Sequence, residues 1–183
     1  MSPAIAYDDL PRYTYDDYVG WEGEWELIDG IAYAMSPAPY PKHQKIVARI
    51  WKELDTNLVC DKEGCEVYIS PIDWKVNEQT VVQPDVALFC EETNKQYFSK
   101  RPPLVVEVLS KATALKDVTT KFELYEKEGV VYYIIVEPER EISDIFKLED
   151  GKYVLQTKAT KEESYHFSFD GCTTEVDFSK LFS

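Results

Sequence analysis

The order of apolar segments predicts an α+β fold, in which a mixed central sheet is flanked by helices and extended by β-hairpins near both ends. Two short apolar segments each carry one carboxylate, and amphipathic helical patterns precede and follow them. Asp-Gly pairs near both ends are typical of tight hairpin turns. With 183 residues, 44% of them hydrophobic, the chain is expected to form one domain over residues 1–183.

The local patterns predict the individual elements in chain order. A short helix is expected near Thr14, a hairpin from Trp25 to Met35 around Asp29-Gly30, and an amphipathic helix from His43 to Leu58. The other predicted elements are strands over residues 65–70, 72–76, 80–89, 104–109 and 130–136, a helix that carries Lys121 and ends at Gly129, a hairpin around Asp150-Gly151, a strand over 165–169 and a closing helical turn over 178–182.

Glu107 lies in a strand pattern that is apolar on both faces. Period-2 alternation places it on the same face as Val105 and Leu109, and places Leu104, Val106 and Val108 on the other. A carboxylate there must be paired, metal-bound or protonated, because burial of a bare charge is costly. The alternative to a metal site is an ion pair between Glu107 and a structural arginine or lysine.

Asp85 follows Pro84 between two apolar segments. Since proline removes a ladder donor, it indicates a strand edge, a bulge or a strand start, and each of these can turn the carboxylate out of the pleat. Together, Asp85 and Glu107 offer the hard oxygen ligands that hold Mg²⁺ or Mn²⁺. Asp85 is equally compatible with a Pro-Asp turn that caps a loop.

Lys121 borders a predicted buried stripe of Val118, Phe122 and Tyr125. At about 100° per residue it lies about 60° from the centre of that stripe, and it can therefore reach toward the sheet. There it would orient water or neutralise a phosphate. The competing interpretation is a surface ion pair between Asp117 and Lys121 at spacing i, i+4.

Glu26 and His43 are supporting candidates. In the predicted hairpin Glu26 lies opposite Tyr33, either as a further ligand or as an acid hydrogen-bonded to the tyrosine. His43, at a helix start, is either a proton shuttle or phosphate contact, or it makes a local hydrogen bond. The same helix carries a basic face that either steers a phosphate backbone or is simply solvated, and that face comprises Lys42, Lys45, Arg49 and Lys52.

Several ordered sequence blocks resemble the Uma2 family, a branch of the PD-(D/E)XK restriction-endonuclease-like superfamily. They are Trp25–Gly30, Met35–Pro39, His43-Gln44, Gln83–Ala87, Pro102–Ser110, Asp117, Lys121–Tyr125, Gly129-Val130 and Tyr132–Pro138. The resemblance spans about residues 13 to 180 and implies a restriction-endonuclease-like core.

What the resemblance implies for function is a Mg²⁺- or Mn²⁺-dependent endonuclease that hydrolyses phosphodiester bonds of nucleic acid, with DNA as the expected substrate. Asp85 and Glu107 are then the metal-binding pair. The lysine of the superfamily signature is replaced by Leu109, and Lys121 on the following helix is the matching candidate. Glu26 and His43 complete the candidate catalytic set.

The charge distribution affects how strongly this protein is expected to bind nucleic acid. The net charge is −14, and most of it lies in residues 1–39 and 137–183, whereas residues 40–136 carry 15 acids and 13 bases. Weak or transient contact with nucleic acid is therefore expected.

One rival function is an inactive nuclease fold that binds proteins, and another is an enzyme for a different phosphorylated substrate. Cutting of duplex DNA favours a homodimer, because two strands need two sites.

The four cysteines are expected to be free, buried thiols, and neither a disulfide framework nor a zinc site is predicted from their spacing. The chain has no segment apolar enough to span a membrane and no recognisable signal sequence, so no membrane contact and a cytoplasmic location are expected.

Overall fold

The computed structural model describes residues 7–35, 40–61, 63–91, 95–110 and 114–183. Part of the predicted lead-in and residues 36–39 of one family-like block lie outside these ranges. The helices are α1 (Tyr15–Tyr18), α2 (Pro41–Thr56), α3 (Ala114–Val118) and α4 (Thr120–Glu128), with 3₁₀ turns at Tyr7–Asp9 and Phe178–Lys180. No helix in the described ranges is both long and apolar enough to cross a membrane.

The strands form three sheets, and the predicted mixed α+β architecture is confirmed. Their bounds are β1 (Trp25–Ile28), β2 (Ile31–Ala34), β3 (Val59–Cys60), β4 (Glu66–Ile69), β5 (Asp73–Asn77), β6 (Thr80–Val82), β7 (Val86–Phe89), β8 (Tyr97–Phe98), β9 (Leu104–Val108), β10 (Tyr132–Glu137), β11 (Ile142–Glu149), β12 (Lys152–Thr160), β13 (Ser164–Phe169) and β14 (Cys172–Asp177).

The largest sheet has the order β12-β11-β10-β9-β7-β4, and only its β9–β10 pair is parallel. A five-stranded sheet has the order β2-β1-β6-β5-β8, and a small sheet has the order β13-β14-β3. The predicted hairpins around Asp29-Gly30 and Asp150-Gly151 are confirmed, since both pairs adopt the positive φ angles that tight turns need.

Strand β9 separates two hydrophobic cores, as its alternation predicts. Leu104, Val106 and Val108 pack with α2 and the small sheet. On the opposite face Val105 packs with Tyr125 of α4 and with the five-stranded sheet. Glu107 lies on this second face and is only 2% exposed. The strand is thus covered on both sides, and the acid is enclosed between the sheet and α4.

Pro84 lies where the chain passes from one sheet to the next. Strand β6 ends at Val82 in the five-stranded sheet, and β7 starts at Val86 in the six-stranded sheet. Of the three alternatives that the proline left open, a strand start is observed, and the predicted strand over residues 80–89 is divided into β6 and β7. Asp85 therefore lies in the short segment between β6 and β7 that joins the two sheets.

The predicted buried stripe on the Lys121 helix is partly wrong. The helix is interrupted at Thr119, so α3 and α4 do not share one continuous periodicity. Val118 is 43% exposed, whereas Lys121 and Tyr125 are enclosed. Lys121 thus lies on the buried face itself and not at its border.

The prediction of four free thiols is wrong, because the cysteines form two disulfides, Cys60–Cys172 and Cys65–Cys90. The reason is strand register, which spacing along the chain does not reveal. Cys60 and Cys172 are direct partners across β3 and β14. Cys65 and Cys90 flank the Glu66–Phe89 pair of β4 and β7 and therefore lie opposite each other as well.

Candidate active site

The register of β7 and β9 brings Asp85 and Glu107 together. These strands are antiparallel with Val86 opposite Val106, and the same register continued by one residue sets Asp85 opposite Glu107. Asp85 lies just outside β7, and its side chain reaches His43 of α2. Its carboxylate also raises the pKa of Glu107, so the two predicted ligands lie near each other at the end of the strand pair.

Asp85 is held by a backbone group and by a histidine. Its Oδ2 accepts a hydrogen bond from the Val108 N–H at 2.8 Å and lies 3.2 Å from His43 Nε2. The Asp85 side chain remains 17% exposed, so it faces the more open side of the site. The alternative that Asp85 merely caps a local turn is wrong, since its carboxylate contacts residues distant in sequence.

His43 projects from the first turns of α2 toward this carboxylate. Burial disfavours the charged imidazole, but the hydrogen bond to Asp85 and the negative charge of Asp85 outweigh it, so the pKa of His43 is raised. This contact joins residues that are 42 positions apart in the sequence, so the hydrogen bond of His43 to Asp85 is not a local one. His43 is thereby placed to exchange a proton beside Asp85.

Glu107 contacts two donors from α4. Its Oε1 accepts hydrogen bonds from Lys121 Nζ at 2.7 Å and from the Tyr125 hydroxyl at 2.8 Å. The predicted approach of Lys121 to the second acid is therefore observed. A purely structural ion pair would make the same contact, so this contact is compatible with both a structural and a catalytic role of Lys121.

Lys121 also links Glu107 to Glu26. Its Nζ lies 2.8 Å from Glu26 Oε1 and 3.8 Å from Asp117 Oδ1. The interpretation of Asp117 and Lys121 as a surface pair is wrong, because the two residues are 1% and 2% exposed. Three carboxylates thus surround one ammonium group inside the protein.

Glu26 does not hydrogen-bond to Tyr33, although the predicted pairing of the two residues is observed. Its Oε1 accepts a hydrogen bond from the Gln83 N–H at 2.8 Å, and its Oε2 contacts Lys116 Nζ. The side chain is fully buried. Glu26 therefore joins β1 to the sheet junction next to Asp85 and forms the back wall of the site.

The pKa values show how strongly these charges interact. Burial raises the pKa of Glu107, the Lys121 ammonium opposes this, and the carboxylates of Asp117, Asp85 and Glu26 raise it further, so that it lies well above its ordinary value. Burial disfavours the Lys121 ammonium, but the same acids hold its pKa well above the ordinary value. Burial also opposes ionisation of Glu26, yet Lys121 and Lys116 lower its pKa.

Sequence reasoning missed three members of this cluster. Asp117 was considered only as a surface partner of Lys121, in one of two interpretations left open, although the same i, i+4 spacing also fits a buried pair. Tyr125 was assigned to the apolar stripe, and nothing in the sequence indicates that its hydroxyl meets Glu107. Lys116 carries no signal either, since its approach to Glu26 spans 90 positions.

The residues present fit a divalent cation by their donor set and their charge. Four carboxylates, Asp85, Glu107, Asp117 and Glu26, are balanced by the ammonium groups of Lys116 and Lys121, and by His43 only when it is protonated. Negative charge is therefore in excess, and it adds to burial, the larger cause, in raising the pKa of Glu107. Carboxylate oxygens are also the ligands that Mg²⁺ and Mn²⁺ prefer.

Comparison with known proteins agrees with this fold. A solved structure from Anabaena variabilis, described as a "putative nuclease belonging to DUF820", superimposes with a TM-score of 0.69 at 15% identity, covering 92% of this chain and 97% of that one. The chain is also 30% identical over 166 residues to the uncharacterized Synechocystis protein slr1290, covering 84% of this chain and 83% of that protein.

The family comparison covers the whole candidate site. The model of the Uma2 family, described as "Putative restriction endonuclease", matches residues 9–168. This range includes every residue of the carboxylate and lysine cluster. The chain therefore belongs to the Uma2 family, which supports a nuclease-like function.

Proposed function

We propose that this protein is a metal-dependent endonuclease that hydrolyses phosphodiester bonds of nucleic acid, with DNA as its substrate. The observation that carries the proposal is the proximity of the Asp85 and Glu107 carboxylates, with Lys121 in contact with the second acid. Asp85 directly precedes β7, Glu107 lies on β9 and Lys121 lies on α4. Family membership supports the reaction class.

Asp85 and Glu107 would hold the metal ion, Mg²⁺ or Mn²⁺. When bound, such an ion supplies charge stabilisation of the phosphoryl transition state and a water of lowered pKa. Asp85 is oriented for this role by the Val108 N–H. Glu107 is oriented by Tyr125 and Lys121. Both acids therefore keep a defined direction before any ligand arrives.

Lys121 would provide the positive charge that the signature lysine supplies elsewhere in the superfamily. The position of that lysine is Leu109, whose side chain lines an apolar pocket of about 210 Å³. Ile135, the β10 partner of Glu107, lines the same pocket. Lys121 contacts Glu107 from α4 instead. It would orient water or neutralise a phosphate oxygen from there, and its side chain does not line the pocket beside Leu109.

His43 would act as a proton shuttle at the Asp85 side of the site. Its imidazole contacts Asp85, the more exposed of the two metal ligands. A histidine with a raised pKa can carry a proton near neutral pH, and this proton is available to a leaving oxygen. Glu26 would hold Lys121 and Lys116 in place and need not touch the substrate.

The test is cleavage of plasmid DNA, oligonucleotide duplexes and RNA in the presence of Mg²⁺ or Mn²⁺. Asp85→Asn and Glu107→Gln are each expected to lower the rate by on the order of 100-fold or more. Glu126→Gln is the matched control, since Glu126 lies on α4 but pairs with the exposed Lys152. Cleavage by the first two variants at the wild-type rate would refute the proposal.

The rival function is an inactive nuclease fold that binds protein partners, and the net charge of −14 favours it. Metal titration separates the two. An active site of the proposed kind gives saturable Mn²⁺ binding that Asp85→Asn weakens, together with a metal-dependent thermal shift. Absence of both effects, with the fold intact by circular dichroism, would favour the rival.

A further inference from the structure

All four cysteines of the chain meet at one place, away from the carboxylates. The sulfur atoms of Cys60, Cys65 and Cys172 all lie within 4.8 Å of one another. The Sγ atoms of Cys65 and Cys172, which belong to different disulfides, are 3.7 Å apart. Cys90 is bonded to Cys65. The two disulfides are thus in direct sulfur contact.

Rigid strands hold this cluster in position. The Cys60–Cys172 pair joins β3 to β14, with Cα atoms 4.1 Å apart, and the Cys65–Cys90 pair spans the ends of β4 and β7, with Cα atoms 3.9 Å apart. The backbone hydrogen bonds of both ladders do not depend on the sulfur atoms. Reduction of the disulfides therefore leaves the thiols of Cys60, Cys65 and Cys172 close together and the thiol of Cys90 beside that of Cys65.

Three clustered sulfurs, with the fourth bonded to one of them, suit a tetrahedral thiolate site. A zinc–sulfur bond of about 2.3 Å corresponds to sulfur–sulfur edges of about 3.8 Å in a tetrahedron, and the Cys65–Cys172 contact already has nearly that length. Cys60 and Cys65 are separated by four residues, which falls within the usual ligand spacing of structural zinc sites. Gly64, with a φ of 78°, turns the chain between them.

We propose that the reduced protein binds one Zn²⁺ through Cys60, Cys65, Cys90 and Cys172. Each disulfide takes up two electrons and two protons from a dithiol reductant, which is itself oxidised to a disulfide. Zn²⁺ then replaces the four thiol protons, which pass to solvent, and the thiolates and the ion form a complex of charge −2. The site joins the small sheet to the edge of the six-stranded sheet in either redox state.

This site is separate from the carboxylate site. Asp85 precedes β7 and Cys90 follows it, so the two residues lie at opposite ends of the strand, about 16 Å apart at 3.3 Å per residue. The ligand chemistry also differs, because thiolates select Zn²⁺ and carboxylates select Mg²⁺ or Mn²⁺. Loss of one site is therefore not expected to abolish the other.

The test is an anaerobic titration of the reduced full-length chain with Co²⁺, a spectroscopic substitute for Zn²⁺. The expected result is saturation of the thiolate charge-transfer bands, and of the intense visible bands of tetrahedral cobalt, at one Co²⁺ per thiolate site, with both removed by added Zn²⁺. Cys60→Ser and Cys90→Ser are each expected to bind this Co²⁺ more weakly and to give weaker charge-transfer bands, because one thiolate is lost. They are preferred to Cys172→Ser because Cys172 is buried and the other two are partly exposed.

The controls are the oxidised wild-type chain, which should bind no Co²⁺ at the cysteines, and the Asp85→Asn/Glu107→Gln variant, which should keep the full spectrum after reduction. Circular dichroism checks that each variant is folded. The proposal is overturned if the reduced and oxidised wild-type chains give the same spectrum, or if a folded Cys60→Ser or Cys90→Ser variant binds Co²⁺ with the same affinity and the same charge-transfer intensity as the reduced wild type.

Discussion

The ammonium group of Lys121 is enclosed by protein, with 2% of the residue exposed and three carboxylates around it. Burial of such a charge is costly unless partners compensate it, and here Glu26, Glu107 and Asp117 do so. The same contacts make the cluster sensitive to the loss of any one charge. Each residue of the cluster can therefore be tested by its effect on stability as well as on cleavage.

Lys121→Met is expected to lower the free energy of unfolding by about 3–5 kcal/mol, because it leaves buried carboxylates without their counter-charge. Lys152→Met is the matched control. Lys152 pairs with Glu126 but is 79% exposed, so its loss should change the free energy of unfolding far less than the loss of Lys121. Urea denaturation measures both. An equal, small effect of the two substitutions would show that Lys121 contributes no more than a surface lysine.

Tyr125→Phe removes the hydroxyl that donates to Glu107. Hydrogen bonds that orient a metal ligand typically change metal affinity by 10–100-fold, so Mn²⁺ affinity is expected to fall by about 10-fold. Tyr153→Phe removes a hydroxyl that donates to the Val130 carbonyl instead. Calorimetric titration should show unchanged Mn²⁺ affinity for that control. Equal affinities for both variants would contradict the orienting role of Tyr125.

For the proposed metal site, the raised pKa of Glu107 predicts that metal binding depends on pH. The folded state favours the protonated acid, so this group's contribution to stability is present below its ordinary pKa and is lost as pH rises through the raised pKa. Mn²⁺ competes with that proton. The pKa of His43 is also raised. Its protonated imidazole pairs with Asp85 and therefore also opposes Mn²⁺ binding at low pH.

The thermal shift produced by Mn²⁺ is therefore expected to be larger at about pH 8.5 than at about pH 5.5. Differential scanning fluorimetry with and without the ion measures this difference. The Glu107→Gln variant, which has no proton to release at that position, should show a flatter profile. A wild-type shift that decreases with pH would have the wrong sign for this site.

At the scale of single elements, the end of α4 positions Lys121 and Tyr125. Gly129 terminates this helix with a φ of 80°, in the left-handed region that favours glycine. A Cβ atom at this position would lie 3.0 Å from Arg101 Nη1. The guanidinium of Arg101 also donates to the Gly129 carbonyl. The helix end is therefore restrained by both backbone conformation and a neighbouring side chain.

Gly129→Ala is expected to cost about 2–3 kcal/mol, of which about 1–2 kcal/mol is the left-handed backbone penalty. Gly151→Ala isolates that penalty, since Gly151 has a φ of 78° and nothing within 4 Å of its added Cβ. The difference in unfolding free energy between the two variants measures the contact with Arg101. If Gly151→Ala costs as much as Gly129→Ala, that contact contributes nothing.

At the scale of the whole molecule, the net charge of −14 opposes approach to a polyanion. The basic residues of α2 are partly engaged, since Lys42 lies 3.5 Å from Glu139 and Arg49 donates to the Leu181 carbonyl. Lys45 and Lys52 are exposed on the same helix. Contact with a phosphate backbone is therefore expected to involve few cations.

Binding of duplex DNA is expected to depend weakly on salt. Release of few counterions predicts a slope of log affinity against log salt shallower than about −3. Fluorescence anisotropy with a labelled duplex, in Ca²⁺ to prevent cleavage, measures this slope, and Lys45→Ala/Lys52→Ala reports the contribution of α2. A slope of about −6 or steeper would instead indicate an extended basic contact surface.

Local sequence determined the elements and the orientation of side chains within them. Alternation alone placed Glu107 on one face of β9, and Asp-Gly pairs located both hairpins, because these features depend on neighbouring residues only. The excess of negative charge in residues 1–39 and 137–183 likewise follows from composition alone. Strand alternation, Pro84 and helical spacing selected Glu107, Asp85 and Lys121 as candidates, and the likeness to the Uma2 family supports the same three residues.

Only the tertiary structure decided which side chains meet. The break at Thr119 buried Lys121 and Asp117, packing of α3 against β1 brought Lys116 to Glu26, and strand register joined the cysteines in pairs. Each of these contacts links residues from separate elements, and its geometry depends on how the sheets pack. Sequence periodicity describes one element at a time, so it determines the face of a side chain but not its partner.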